Sequence, residues 1–301
     1  MRASQPRWPQ KTQEVQNVVL DSTRWNDFEF RDGDVVIGTW AKSGTTLTQQ
    51  IVAQLIFGGA QDVMGAAISP WIEFRLTPDA VQIAAAQTHR RVLKTHLPVP
   101  ALVVSPKAKY IYIGRDARDV LWSMHHHHSS FAPAAYEAFN GMPGRVGPPM
   151  LPPNRDIRAY YHEWLDNDGH PFWPFWSHVQ SWWDVRTLPN VLLLHFADLQ
   201  RDLATEVRRI AAFLDMEVDA QVLPRILEHC GMEHMRRQAV HVDFLNVIFA
   251  GGGSAFIHKG TNGRWKDVLT EAEIAKCDDI AARRLSPDCA AWLRTGRRSD
   301  E

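Results

Sequence analysis

A short polar loop near the start of the chain carries the strongest chemical signal in the sequence. It reads GTWAKSGTT over residues 38–46 and lies between an apolar run and apolar residues at helical spacing. A turn from a strand into a helix presents unpaired backbone N–H groups and the positive end of the helix dipole, which attract anions. To these the loop adds a charged side chain, hydroxyls and a compliant backbone, at Lys42, Ser43, Gly44, Thr45 and Thr46. We therefore predict a phosphate or sulfate site here, with an ordinary polar turn as the alternative.

The position of the lysine separates this loop from the nucleoside triphosphate P-loop. In the motif GxxxxGK[ST] the lysine follows the second glycine, and the next residue supplies a hydroxyl for Mg²⁺. Here Lys42 precedes Gly44 by two residues. A P-loop-type nucleotide kinase stays as an alternative that this spacing disfavours, and no metal site is predicted.

A second polar group follows the next predicted strand. The segment LKTHLP over residues 93–98 places Lys94 and His96 near the strand's carboxyl end, where α/β folds bind their ligands. An imidazole with a pKa near 6.5 suits the removal of a proton from a hydroxyl at neutral pH. His96 is therefore a candidate general base, although a single histidine in a chain with 14 of them could also be structural.

A third group combines a guanidinium with a hydroxyl. Arg115 follows the apolar run 109–114, and Ser123 lies eight residues farther along a predicted helix. A guanidinium binds a phosphate through two parallel hydrogen bonds, so this pair is a candidate for a second anion site. Taken alone, Arg115 could instead form a surface ion pair with Asp116 or Asp119.

A basic loop near the carboxyl end of the chain completes the set. It reads FIHKGTNGRW over residues 256–265 and directly follows three glycines and Ser254 and Ala255. His258 and Lys259 can close over an anion, and Gly260 keeps the loop compliant. Taken alone, the segment indicates only a basic loop.

Short apolar strands must position these groups. Four such runs alternate with amphipathic helical patterns, at residues 35–38, 91–96, 109–114 and 191–196. This alternation is typical of a parallel sheet with helices on both faces. We predict an α/β fold with one domain over 1–301, divided into an N-terminal arm (1–33), a motif-bearing core (34–270) and a C-terminal helix and tail (271–301). Residues 140–176 are predicted to be an irregular insertion, and 251–254 a mobile loop.

The composition limits the classes of function. With 45% hydrophobic and 22% charged residues in 301, the chain can bury a large core and is not a disordered protein. Its formal net charge of −1 gives no basic field for nucleic acid or anionic lipid, so any anion must be held by a local cluster. Three cysteines, no signal-like start and no long apolar stretch favour a soluble, cytoplasmic protein.

Together the four polar segments, in this order, resemble those of the soluble sulfotransferase family, which uses 3′-phosphoadenosine 5′-phosphosulfate (PAPS) as sulfuryl donor. The loop TWAKSGTT resembles the family's TYPKSGTTW, and LKTHLP resembles its KTHLP. YIGRDARDVLWSMHH is similar to YxxRNxKDVxxSxYH, and FIHKGTNGRWKDVLT to FxRKGxxGDWKxxFT. The resemblance runs from about residue 34 to 270, and it implies the family's P-loop-like α/β fold.

The resemblance also implies roles for single residues. The loop residues Lys42, Ser43, Gly44, Thr45 and Thr46 would hold the 5′-phosphosulfate. The 3′-phosphate would be bound by residues of the third and fourth segments, namely Arg115, Ser123, His258, Lys259 and Gly260. Lys94 would lie beside the transferred group, His96 would be the general base, and the ring of Phe196 would contact the nucleotide. Lys42 would also stabilise the leaving nucleotide, and PAPS would be a co-substrate that needs no metal.

Several positions depart from the family pattern. His258 replaces an arginine and lacks its permanent charge, Leu47 replaces an aromatic residue, and Met232 falls in a segment that otherwise contacts adenine. A catalytically inactive nucleotide-binding protein is therefore a further alternative, although such a protein would not need His96.

The acceptor can be predicted only by chemical class. Twelve tryptophans, with the aromatic segments 69–76 and 171–176, indicate apolar walls suited to a small hydrophobic or aromatic alcohol, or else simply a core. The run His125–His128 is not predicted to bind metal, but one of its imidazoles, His126 or His128, is a candidate acceptor contact. The sequence leaves the oligomeric state open between monomer and dimer.

Overall fold

Four parallel strands form the sheet in the computed structural model, which describes residues 8–297. Within this range the strands are β1 (Val35–Thr39), β2 (Val92–Thr95), β3 (Lys109–Gly114) and β4 (Val191–His195), in the order β2-β1-β3-β4. All three pairings are parallel. The α/β fold with a central parallel sheet is confirmed, and the predicted strand 109–114 matches β3 residue for residue.

Helices connect the strands and cover both faces of the sheet. In chain order they are α1 (Thr45–Ile56), α2 (Gly65–Ile68), α3 (Ala80–Ala86), α4 (Ala117–Ser129), α5 (Pro133–Asn140), α6 (Ile157–Asp166), α7 (Trp176–Asp184), α8 (Phe196–Arg201), α9 (Leu203–Phe213), α10 (Leu223–His229), α11 (Met232–Ala239), α12 (Asp243–Ile248), α13 (Gly252–Phe256), α14 (Glu271–Arg284) and α15 (Pro287–Thr295). Two 3-10 helices cover Ser22–Trp25 and Val99–Ala101.

The strands are predominantly apolar because both faces of the sheet are buried. Successive side chains point to opposite faces, so Tyr110 and Tyr112 join one hydrophobic cluster while Ile111 and Ile113 join the other. Gly38 in β1 is needed for packing, since a Cβ there would lie 2.7 Å from the ring of Trp182. This packing fixes the sheet whose carboxyl edge carries the polar segments.

Two segments have more regular structure than the sequence predicted. Residues 140–176 were expected to be irregular, but they contain α6, because the prolines and glycines cluster on either side of it and Asp156 caps its first turn. The predicted mobile loop 251–254 lies largely in α13. There Gly253 approaches α11 so closely that a Cβ would lie 1.9 Å from the carbonyl oxygen of Ala239.

Both ends of the described chain pack on the core. Trp25 is fully buried, and its Nε1 donates a 2.8 Å hydrogen bond to Glu73. The C-terminal part contains two helices, α14 and α15, where one was predicted. The predicted arm and tail also include residues 1–7 and 298–301, which lie outside the described residues. None of the helices between residues 8 and 297 is both long and apolar enough to cross a membrane.

Candidate active site

A cavity of about 230 Å³ lies at the carboxyl edge of the sheet. The loops after β1, β2, β3 and β4 each contribute to its wall, because the carboxyl ends of parallel strands meet at one edge. Of the predicted site residues, the wall contains Lys42, Gly44, Thr45, Thr46, Lys94, His96, Arg115, Ser123, Phe196, His258 and Gly260. Four segments far apart in sequence therefore meet in one cavity.

Two of the predicted residues lie beside the cavity without lining it. Ser43 is buried within the loop, with 2% of its surface exposed. Lys259 is exposed next to His258 and Gly260. Both stand one residue from cavity-lining neighbours, so the backbone places them at its margin.

The loop after β1 turns sharply to bring its backbone to the cavity. Lys42 has φ 69° and Gly44 has φ 118°, both in the left-handed region. Gly44 precedes the first turn of α1, whose initial N–H groups have no partner within the helix. A Cβ on Gly44 would lie 2.7 Å from the ring of Phe196, so only glycine fits between that ring and the loop.

Lys42 stands in a strongly cationic environment. Burial, followed by the charges of Arg115, Lys94 and Arg264, lowers the pKa of Lys42 to about 7. Its Nζ lies 3.3 Å from Nδ1 of His127 and 4.9 Å from the ring centroid of Phe256. So many like charges beside one buried lysine are unfavourable without an anion, which indicates a site built for an anionic ligand.

Hydrogen bonds hold His96 in one tautomer. Its Nδ1 lies 2.7 Å from the carbonyl oxygen of Thr39, an atom that can only accept, so Nδ1 carries the proton. The other ring nitrogen, Nε2, is then unprotonated and able to accept a proton. Burial and the charge of Lys94 lower the pKa of His96 well below 6.5, so the ring is neutral at neutral pH.

Glu73, which none of the sequence motifs contains, supports both Lys94 and His96. The Glu73 carboxylate is fully buried and accepts hydrogen bonds from the backbone N–H of His96, from Thr95 Oγ1 and from the indoles of Trp25 and Trp71. Burial raises the pKa of Glu73, and these donors offset that rise only in part. All four partners donate, which is the hydrogen-bond pattern that favours the carboxylate form. The signal was a single acid within the apolar aromatic segment 69–76.

Lys94 completes this group. Its Nζ lies 4.1 Å from the ring centroid of Trp71, in cation–π contact. Burial lowers the pKa of Lys94 to about 8, and the charge of Glu73 opposes that change. Glu73 thus helps to keep a positive charge on Lys94 inside the cavity.

Arg115 is not a surface residue. Only 3% of it is exposed, and its guanidinium donates to the carbonyl oxygens of Lys42 and Thr261 and to Asn262 Oδ1, at 2.8, 3.1 and 2.9 Å. The alternative of a surface ion pair is therefore wrong, because Asp116 pairs with Arg118 instead. Arg115 joins the β1 loop to the basic loop 256–265.

The histidine run on α4 faces the cavity through its middle residues. The ring of His126 stacks on that of His258 with 3.6 Å between centroids, and His127 contacts Lys42. His126 and His127 line the cavity, whereas His128 is buried behind it. Within residues 8–297 no cluster of three potential metal ligands occurs.

Aromatic and aliphatic side chains form the rest of the wall. They come from the two aromatic segments noted in the sequence and from the region around α12, and include Trp71, Phe74, Phe172, Trp173, Phe244 and Phe249. Phe175 and Trp176, by contrast, belong to the core. Leu47 and Met232, which depart from the family pattern, also line the cavity.

A family model described as the sulfotransferase domain matches residues 32–287 of the chain. Glycolipid sulfotransferase of Mycobacterium bovis (strain BCG / Pasteur 1173P2) is 30% identical, over 94% of this chain and 94% of that protein. Human sulfotransferase 1C2 is 29% identical, over 91% of this chain and 93% of that protein. These matches include every segment that lines the polar half of the cavity.

Solved structures show the same fold. Retinol dehydratase in complex with androsterone and inactive cofactor PAP superposes with a TM-score of 0.69, at 21% identity, over 93% of this chain and 86% of that one. Mouse sulfotransferase SULT7A1 complexed with PAP superposes with a TM-score of 0.72, at 22% identity, over 90% of each chain. At this identity the likeness concerns the arrangement of helices and strands.

Proposed function

The chain belongs to the sulfotransferase domain family, and we propose that it transfers the sulfuryl group of PAPS to a hydroxyl of a small hydrophobic acceptor, with His96 as the general base. PAPS-dependent sulfuryl transfer is the activity of this family. The observation that carries the assignment of roles is the meeting of Lys42, Lys94 and a neutral His96 in one cavity.

The donor site fits a nucleotide with charged groups at both its 5′ and 3′ positions. Gly44, Thr45 and Thr46 with Lys42 form a cradle at the start of α1, and a Cβ at Gly44 would meet the ring of Phe196. Arg115 and Ser123 line a second part of the same cavity, beside His258 and the loop that carries Lys259 and Gly260. We assign the 5′-phosphosulfate to the first group and the 3′-phosphate to the second.

The proposed chemistry is a direct displacement at sulfur. The acceptor hydroxyl gives its proton to Nε2 of His96 as its oxygen forms a bond to sulfur. The bond between sulfur and the 5′-phosphate oxygen breaks, and its electron pair stays on that oxygen. Lys42 stabilises the negative charge that develops there, and Lys94 lies beside the transferred group.

The acceptor is proposed to be a hydrophobic alcohol or phenol. The wall beyond His96 is formed by Trp71, Phe74, Trp173 and Phe249, which offer apolar contact and few hydrogen bonds. A relative at 30% identity is named as a glycolipid sulfotransferase, which supports an acceptor with a large apolar part.

Ligand binding tests the donor assignment first. We expect 3′-phosphoadenosine 5′-phosphate (PAP) to bind in isothermal titration without metal, and Lys42→Ala to weaken that binding. ATP with Mg²⁺ serves as the comparison. Binding of ATP with Mg²⁺ in the absence of PAP binding would contradict the proposal and favour a nucleotide kinase.

Substitution of His96 tests the base. We expect His96→Asn to lower kcat by about 10²- to 10⁴-fold, since an amide can donate to Thr39 but cannot take up the proton. The PAP dissociation constant should change little. His241→Ala, at an exposed histidine outside the cavity, is the matched control. Near-normal turnover by the His96 variant with a good acceptor would exclude His96 as the base.

A further inference from the structure

The basic loop 256–265 contains two departures from the family motif that are related in space. In the motif FxRKGxxGDWKxxFT the first charged position is an arginine and the sixth residue after it is an aspartate. This chain has His258 at the first position and Arg264 at the second. An arginine is thus lost at one end of the loop, and another replaces an acid six residues later.

The two side chains meet. Arg264 Nη1 lies 3.5 Å from Nδ1 of His258, and both residues line the cavity. The loop folds back between them through Gly260 and Gly263, which have φ of 61° and 79°. The guanidinium of Arg264 therefore lies beside the imidazole that occupies the motif's arginine position.

The guanidinium of Arg264 is also incompletely paired. Its Nε is buried and has no hydrogen-bond partner among residues 8–297. Burial lowers the pKa of Arg264, and Asp119 is the acid whose charge opposes this change. That carboxylate already accepts a 2.6 Å hydrogen bond from the backbone N–H of Gly263. A buried donor without an acceptor is costly, so its position indicates a ligand that accepts from it.

The surroundings of Arg264 are those of an anion site. Its charge lowers the pKa of Lys42, Arg115 and His258, so all three lie within its electrostatic field. The ring of His126 stacks on the ring of His258, which in turn lies beside Arg264. Arg264 therefore stands within the cationic group that we assign to the 3′-phosphate.

We propose that Arg264 binds the 3′-phosphate of the donor nucleotide, supplying the guanidinium that the family motif places at position 258. This inference rests on the proposed function, because it assigns one more residue to the donor site. In this arrangement His258 packs between Arg264 and His126 and positions the guanidinium, while Arg264 donates the charge-assisted hydrogen bonds.

The test compares two nucleotides that differ only in the 3′-phosphate. PAP carries it and adenosine 5′-phosphate does not. We expect Arg264→Gln to weaken PAP binding by about 10- to 100-fold and to change adenosine 5′-phosphate binding little, as for the loss of hydrogen bonds to a charged group. Arg237→Gln, which removes an exposed arginine paired with Glu233, should leave both affinities unchanged.

A second variant tests whether the two positions are equivalent. His258→Arg combined with Arg264→Gln returns a guanidinium to the motif position, and we expect it to recover most of the PAP affinity. Arg264→Lys keeps the charge without the planar fork and should give an intermediate loss. If the Arg264→Gln variant does not fold, Arg264→Lys still tests the role of the guanidinium.

The outcomes distinguish an error in the role of Arg264 from an error in the proposed function. Equal weakening of both nucleotides by Arg264→Gln, or no weakening of either, would overturn the role of Arg264 while leaving the donor site in place. Wild-type protein that does not prefer PAP to adenosine 5′-phosphate would overturn the proposed function itself.

Discussion

At the scale of single residues, the site depends on buried charges that differ in their partners. Glu73 is fully buried and anchors the backbone N–H of His96, while its charge helps Lys94 to stay protonated. Lys42 has no such acid beside it, and its pKa falls to about 7. The two lysines therefore differ in average charge near neutral pH before the proposed donor binds.

This difference predicts a pH dependence of donor binding. Without ligand, Lys42 loses its proton as the pH rises through about 7, and Lys94 through about 8. An anionic ligand raises both pKa values, so affinity is full below the ligand-free values and declines above them. We expect PAP binding to weaken between about pH 6 and about pH 9, approaching tenfold per pH unit for each proton taken up.

Lys42→Arg provides the control for this pH series. A guanidinium keeps its charge throughout the range, so the decline that begins near pH 7 should disappear and only that of Lys94 should remain. Titration calorimetry in two buffers of different ionisation enthalpy would measure the protons directly. A PAP affinity independent of pH in the wild type would contradict the assignment of Lys42.

At the scale of secondary-structure elements, the carboxyl ends of the four strands position the residues of the site. β1, β2, β3 and β4 each end at the same edge, and the residues that follow them line the cavity. The loop after β1 is the most constrained of these connections, because Gly44 combines φ 118° with close contact to Phe196. The start of α8, which carries Phe196, thus shapes the start of α1.

Gly44→Ala tests that contact. The new Cβ would meet the ring of Phe196 and require a left-handed conformation, at a cost of about 1 to 3 kcal/mol. We expect a lower thermal midpoint and PAP binding weakened by about tenfold or more. Gly58→Ala is the matched control, since Gly58 has φ 59° but open space around its Cβ position. It should lower the midpoint without changing PAP affinity, and an equal loss of PAP affinity in both variants would contradict the role of the contact.

The helices and strands also differ in how well the sequence pattern predicts them. Predominantly apolar runs predict β3 residue for residue and β1, β2 and β4 to within one residue at either end, because strands buried on both faces carry few polar side chains. The helix α6 was missed because its amphipathic pattern is short and lies among prolines. The helix α13 was missed because its glycines are required for close packing.

The site could be predicted wherever a motif names the residue. Lys42, His96 and Arg115 all reach the cavity from separate motifs. Glu73 and Arg264 could not be predicted, because their roles arise from contacts between segments distant in the chain or from a loop that folds back on itself. The burial of Arg115 likewise depends on Thr261 and Asn262, which its own segment does not contain.

At the scale of the whole molecule, a nearly neutral chain contains a local cluster of positive charge. The chain carries 33 basic and 34 acidic residues, yet Lys42, Lys94, Arg115 and Arg264 face one cavity. The attraction for a charged nucleotide is therefore local. Because these four side chains are buried or partly buried, salt screens their charges less than it would at the surface, but it still screens them.

Ionic strength tests this distribution. We expect the PAP dissociation constant to rise severalfold between about 50 mM and about 500 mM KCl, as the Debye length shortens below the width of the site. The KM of an uncharged acceptor should change less than about twofold, because its wall is apolar. A matching salt dependence for both ligands would instead indicate a general effect on the protein.

The hydrogen bond from Trp25 to Glu73 links the beginning of the described chain to its chemistry. The indole occupies one of the oxygens of the carboxylate that supports His96 and Lys94. The N-terminal segment thus belongs to the packing around the proposed general base and does not merely cover the outside of the core. We therefore expect a chain trimmed past residue 25 to expose that carboxylate to water, to hold His96 less firmly and to lose sulfuryl transfer, whereas a chain that begins before Trp25 keeps it.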